Sequence, residues 1–280
     1  MYKMPSAEKR YPNYFHLTDE VIDQLHKWID LGHKPEPNTA LDVVRLAFAI
    51  RAFNLYRSIT LLLKTDHWED AAILTRSMFE LLLNIEEIQR DDARAESKAR
   101  KFLLFEKLQQ YLHARANHQY NIKTGRVSSS ESELDRVDRA AEALFRTFRL
   151  RTKKGETKWQ SSWCGKNVRE LFKASDQPIR MHQHEILYSY MSAFAHSAPL
   201  SVMTSVRLKH PLEDFDKLQL EHDAQEETQL KLITYLSTGF VLEIILRVRD
   251  ILPDYDVKWN FRILTRLFVF YGVKPPPSPV

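Results

Sequence analysis

The sequence predicts an all-α protein, a multi-helix bundle with long central helices and a polar cleft. Two observations carry that expectation. Only 6 Gly and 12 Pro interrupt 280 residues, and most prolines sit near the termini or in short connectors. Long runs of Leu, Ala, Glu, Arg and Lys therefore proceed without a helix breaker. Within those runs apolar residues recur every three or four positions, the spacing that gathers them on one helix face. With 44% hydrophobic and 28% charged residues, the chain carries enough apolar surface for a sizeable core. Neither an internal repeat nor a clear linker divides it. A single helical domain over 1–280 is expected, with 1–38 as an N-terminal extension and 273–280 as a Pro-rich tail.

The elements follow in order. Thr18, ahead of Asp19 and Glu20, reads as the cap of a first helix that ends near Leu31, before Gly32. After the connector H-K-P-E-P-N-T, a long second helix runs from about Ala40 to Lys64, with Leu41, Val44, Phe48, Leu55, Ile59 and Leu62 at helical spacing. Asp66 with Glu69 reads as a capping pair for a third helix through Gln89. A fourth, bent from the third, follows the charged run D-D-A-R-A-E-S-K-A-R. The segment N-I-K-T-G-R-V-S-S-S is a surface loop, and Ser130 with Glu133 caps a helix reaching about Leu150. A basic, Trp-containing loop comes next. Asn167 with Glu170 begins the short helix N-V-R-E-L-F-K, and a longer helix spans Ile179 to His196. Helices from about Glu221 to Leu252 and from Trp259 to Tyr271 complete the series before the extended K-P-P-P-S-P-V.

Composition narrows the chemistry. The lone Cys164 leaves no internal disulfide and no thiolate zinc cluster, and with an N-terminus lacking an apolar core this fits a cytoplasmic protein. The most apolar segments carry Arg45, Arg51 and Arg57, or Glu243, Arg247 and Arg249, so no membrane role is read from them. No phosphate-binding glycine loop supports a nucleotide, and no cofactor is expected. His182 and His184, two apart on a helix, point in nearly opposite directions, and H-E-x-x-H is missing, so no metal site is expected either.

A net charge of +4 and a pI near 9.0 permit a polyanionic partner. The basic residues concentrate between Arg146 and Arg169, where eight of them face one acidic residue, Glu156. Trp159 and Trp163 lie among them. Lys153, Lys154 and Lys158 could track phosphates while Trp159 stacks a base, as single-strand binders do. The plainer alternative is a solvated loop with Trp163 pinned into the core.

Two polar stripes stand out within apolar helices. Arg76, Glu80, Asn84 and Glu87 fall close to one line in the third helix. His184, Tyr188, Ser192 and His196 repeat every four residues in Ile179–His196. Each stripe has a structural explanation, a surface ion pair at i,i+4 or a core network of satisfied hydrogen bonds.

Three ordered motifs, A-x-L-x-R-S-x-F-E from Ala72 to Glu80, W-C-G-K-N-V-R-E from Trp163 to Glu170, and Y-x-x-x-S-x-x-x-H from Tyr188 to His196, resemble a bacterial helical family catalogued only as a domain of unknown function. The similarity covers roughly residues 40–250. It implies a compact helical bundle with the Arg, Glu and His positions as its polar signature, and supplies no established reaction.

If the stripes face one another, Arg76 can bind an anion, His196 can act as general acid or base, and Glu80 can orient either, with Ser192 and Tyr188 contacting substrate. Such a set supports metal-independent RNA cleavage. The small helical RNA-cleaving bundles of bacterial toxin and antiviral systems place a His four to six residues after an Arg. Arg180 with His182 and His184, Arg115 with His118, and Arg207 with His210 depart from that spacing. The expected function is an antiviral or toxin-like effector acting on RNA or another polyanion. The alternative is a non-catalytic helical interaction or homo-oligomerisation module of a bacterial defence or regulatory system.

Overall fold

The computed structural model describes residues 6–29, 37–126, 131–152, 154–185, 215–252 and 254–270. Among them are ten α-helices and one two-stranded sheet. They sort into two compact units, residues 1–37, 45–87 and 172–280 in the first, residues 38–44 and 88–171 in the second.

The first unit begins with a single helical turn, α1 (Ala7–Arg10), and α2 (Pro12–Ile29). The helix α2 starts at Pro12 rather than Thr18. Proline at the first helical position lacks only an N–H that would have no intrahelical acceptor. Thr18 is an interior, buried residue whose hydroxyl donates to the Phe15 carbonyl at 2.9 Å. Next come α3 (Ala40–Lys64) and α4 (Trp68–Gln89), whose bounds agree with the sequence reading. The Asp66–Glu69 capping pair does not form as expected. Asp66 sits in the left-handed region at φ 66°, and its Oδ1 accepts from the Ala7 N–H at 2.8 Å and Arg10 Nη2 at 2.7 Å. It therefore caps α1, 59 residues away, and not the helix beside it.

The core of this unit gathers on one side of α3. Phe48, Ala52, Tyr56, Ile59 and Leu63 are buried there, with Met78, Leu82 and Ile85 from α4 and Phe15, Val21 and Leu25 from α2. The C-terminal helices, α9 (Phe215–Arg247) and α10 (Val257–Phe270), supply Ile233, Val241, Ile245, Ile263 and Leu267. An aromatic group ties α2 to the start of α10: Trp28 meets Tyr255 at 4.7 Å and Trp259 edge-on at 5.1 Å, while its Nε1 donates to the Asp254 carbonyl. By length and composition Ala40–Lys64 and Glu227–Arg247 could each cross a membrane, and their apolar windows are 50% and 61% buried inside the protein.

The second unit is built on α5 (Asp92–Lys123) and α6 (Glu131–Leu144). A turn at Arg90–Asp91 separates α5 from α4, so the two are distinct helices and not one bent rod. Glu96 near the start of α5 accepts from the Leu41 N–H at 2.9 Å and the Ala40 N–H at 3.3 Å, satisfying donors at the N-terminus of α3. Leu108, Ala141, Phe145 and Phe148 form its buried cluster, with Leu104, Phe105 and Trp159 against it.

Two sequence expectations change here. The helix α6 ends at Leu144, not Leu150, because Arg146–Phe148 form a 3₁₀ turn that seats Phe148 in the cluster. The basic segment is a hairpin. Strands β1 (Arg149–Arg151) and β2 (Thr157–Trp159) pair antiparallel, with Arg149 opposite Trp159 and Leu150 opposite Lys158. After it, α7 (Val168–Ala174) opens with the expected capping box: the Asn167 N–H donates to Glu170 Oε2 at 2.7 Å, and the Glu170 N–H to Asn167 Oδ1 at 2.9 Å. The short α8 (Ile179–Gln183) starts where the longer Ile179–His196 helix was expected; residues beyond Glu185 in that helix lie outside the described residues.

Candidate functional site

On α4 the i,i+4 spacing brings Arg76 Nε to 3.2 Å from Glu80 Oε1, with the two side chains 19% and 36% exposed. Asn84 Nδ2 donates to the Glu80 carbonyl at 2.8 Å. The stripe sinks toward the C-terminal end of the helix, from half-buried Arg76, Glu80 and Asn84 to buried Glu87. Its partners in the sequence reading, Tyr188, Ser192 and His196, lie outside the described residues, as does Lys153.

The most buried polar centre of the first unit is one that the sequence reading passed over. Arg180 on α8 is 0% exposed. Its Nε and Nη2 donate to Glu86 Oε1 at 3.1 and 2.8 Å, and its Nη1 donates to Gln183 Oε1 at 2.8 Å. Glu243 on α9 takes the remaining two N–H groups, from Nη1 at 3.3 Å and from Nη2. All five guanidinium donors are thereby engaged. Glu86 is saturated in turn, since Oε1 also accepts from Arg247 Nη2 at 2.7 Å and Oε2 from Ser175 Oγ at 2.9 Å. Burial disfavours the charge on Arg180, but the hydrogen bonds and charges of Glu243 and Glu86 outweigh it and hold its pKa above the ordinary arginine value. Two carboxylates and two guanidiniums close into a neutral network that pins α8 between α4 and α9.

A signal for this network was present. Glu86 stands beside Glu87 inside an apolar run, and Glu243 precedes Arg247 by four residues inside another. The sequence reading used the second pair only to argue against a membrane span. Arg180, on a helix of five residues after a proline, gives no periodic pattern of its own.

The second unit holds the basic hairpin. Arg149 lies with its guanidinium 3.5 Å from the centre of the Trp159 ring, while its Nε donates to Glu142 Oε2 at 2.8 Å. Trp159 is half-buried against the Phe145–Phe148 cluster, and Trp163 is buried with its ring edge-on to Phe102 at 5.7 Å. Arg146, Arg151, Lys154 and Lys158 are exposed, and Leu150 beside Lys158 is 40% exposed. Below the hairpin Asp138 on α6 accepts both Nε and Nη2 of Arg115 at 3.0 and 2.8 Å, and also the Tyr111 hydroxyl. The hydrogen bonds from Arg115 and Tyr111 hold the Asp138 carboxyl below its ordinary range. Burial, then Asp138, pushes the Tyr111 phenol up to about 12.

These features define a helical protein with a buried ion-pair network in one unit and an exposed basic hairpin in the other. The chain belongs to a family of unknown function, DUF5677, whose model matches residues 42–214. That span takes in the α4 stripe, the hairpin and Arg180, and stops short of Glu243 and of the extent to about 250 expected from the motifs. No curated protein and no solved structure matches the chain.

Proposed function

We propose that this protein is an antiviral or toxin-like effector that acts on RNA in the bacterial cytoplasm. The observation that carries the reading is the hairpin. A two-stranded ribbon holds its cations in fixed places, and this one presents Arg151, Lys154 and Lys158 to solvent, with Arg151 and Lys158 on opposite faces and Glu156 as its one acid. Such a concentration of cations suits a phosphate backbone. Lys153 completes the set by sequence. Trp159 contributes mainly as a scaffold for Arg149, because one ring face is taken by that guanidinium and the indole leans on the cluster.

The reaction would fall to Arg76, Glu80 and His196 without a metal. Arg76 neutralises a phosphate, Glu80 fixes its orientation through the 3.2 Å contact, and His196 transfers the proton, with Ser192 and Tyr188 at the substrate. The decisive assay incubates purified protein with single-stranded RNA in chelator and compares wild type with His196→Ala and Arg76→Ala. Cleavage by the wild type alone supports the assignment. Binding without cleavage in all three leaves RNA recognition and removes the enzyme.

A second reading, a non-catalytic interaction or homo-oligomerisation module, draws support from the same α4 contact. Glu80 already pairs with Arg76, and a buried guanidinium whose five donors are all taken, as those of Arg180 are, serves to fix a fold.

A further inference from the structure

Between α2 and α3 runs a groove of about 480 Å³ that the α4 stripe and the hairpin do not use. The two helices are antiparallel along it: Asp19 meets Lys64 at 2.9 Å, and His26 meets Phe53 ring to ring at 6.1 Å. Charge is distributed unevenly from end to end. At one end the Lys64 ammonium is shared by two carboxylates, Asp19 at 2.9 Å and Glu8 at 3.0 Å, so that end carries one net negative charge. Seven residues back on the same face of α3, about 10 Å along the axis at 1.5 Å per residue, stands Arg57. It is exposed, its guanidinium lies 5.4 Å from the Phe53 ring, and among the described residues no carboxylate pairs with it. Asp23, one turn past Asp19 on α2, is exposed and does not reach it.

The stretch between these ends is mixed. Ile22 and Leu61 face the groove, and Leu61 is 63% exposed, an apolar side chain that an occupant would cover. Asn54 and Ser58 add an amide and a hydroxyl near Arg57. A simple anion would find one cation and then a net-negative far wall. A simple cation would leave Arg57 unused. A molecule that is anionic at one end, cationic at the other and apolar between meets every part of the groove.

We propose that this groove binds a small zwitterion of tripeptide length, its carboxylate on Arg57, its ammonium on Asp19, and its apolar middle on Ile22 and Leu61. Three extended residues span about 10 Å, the same as the helix rise from Arg57 to Lys64.

Trialanine with free termini is the probe, titrated into the full-length ¹⁵N-labelled protein alongside its N-acetyl and C-amide forms and ammonium acetate. Free trialanine should shift the amide signals of Ile22, Asn54 and Leu61. Removing either terminal charge should weaken binding roughly tenfold, the scale of one charged hydrogen bond. Arg57→Gln should cause the same loss, and in that variant amidating the carboxyl should cost nothing further. Arg51→Gln, on the exposed face of α3 outside the groove, should bind as the wild type does. The proposal is overturned if trialanine leaves those amides unshifted at millimolar concentration, if both capped forms bind as well as the free one, or if ammonium acetate produces the same shifts at the same concentration.

Discussion

Glu86 Oε1 on α4 receives two hydrogen bonds from Arg180 on α8, from Nε at 3.1 Å and Nη2 at 2.8 Å, although 94 positions separate the residues and both are buried. In a low-dielectric interior this contact is worth having because all five Arg180 donors are taken and both Glu86 oxygens accept. Glu243, Arg247, Gln183 and Ser175 complete the set.

Removing one partner of that set is therefore expected to be expensive. Arg180→Ala strands Glu86 without its principal counter-charge and should destabilise the protein by about 3–5 kcal/mol. The double variant Arg180→Met with Glu86→Leu replaces the pair with apolar groups of similar length and should recover much of that loss. Denaturant midpoints for Arg180→Met, Glu86→Leu and the double variant check this. Additive losses would show that the two residues act independently.

The Arg76–Glu80 contact should behave differently. It is a half-exposed i,i+4 pair, of a kind that contributes about 0.3–0.5 kcal/mol. Arg76→Ala should accordingly change stability by less than about 1 kcal/mol. If Arg76 binds substrate, the same variant should lose RNA cleavage or phage protection while keeping its thermal midpoint. A loss of stability matching that of Arg180→Ala would place Arg76 in the structural network instead.

What the sequence made legible follows from range of interaction. Helices α3 and α4 and the Asn167–Glu170 capping box could be read because their signals are local: apolar residues at helical spacing, and a cap within three positions of its acceptor. Thr18 and Asp66 misled because each has the chemistry of a cap. Packing set their roles, burying Thr18 in mid-helix and turning the Asp66 carboxylate to a helix 59 residues away. The Arg180 network is assembled from three distant segments, so no window of sequence contains it. The Arg76–Glu80 contact was readable because both partners share one helix.

The Tyr111–Asp138–Arg115 group predicts two pH windows. The folded Asp138 pKa is depressed, chiefly by Arg115, so the carboxylate adds stability above the ordinary aspartate value of about 3.9, and that contribution is lost as pH falls through the lower folded value. The folded Tyr111 pKa is raised to about 12, so its contribution is intact below the ordinary tyrosine value of about 10 and declines as pH rises from there toward the folded value. Asp138→Asn removes the charge behind the first window and weakens the second. Compared with wild type by denaturant titration, the variant should show its largest deficit near neutrality and converge with wild type as pH falls through the depressed folded value of Asp138. A deficit that is constant across pH would assign the effect to packing.

The hairpin yields the last prediction, because binding by counterion release can be distinguished from binding by stacking. Replacing Lys153, Lys154 and Lys158 with Gln should weaken binding to single-stranded RNA and reduce the slope of log K against log salt, by roughly 0.7 for each phosphate contact removed. Lys154 and Lys158 are both exposed, so the triple variant should retain its thermal midpoint. Trp159→Ala is expected to do more than remove a stacking surface. The indole supports the Arg149 guanidinium at 3.5 Å and packs on the Phe145–Phe148 cluster, so its loss should lower stability and release Arg149 as well. Leu150→Ala, at an exposed position on the same ribbon, separates the two effects, since it removes apolar contact area without disturbing that support. If RNA binding is unchanged in the lysine variant at low ionic strength, or if wild-type binding shows no dependence on salt, the hairpin is not a phosphate track and the interaction-module reading takes its place.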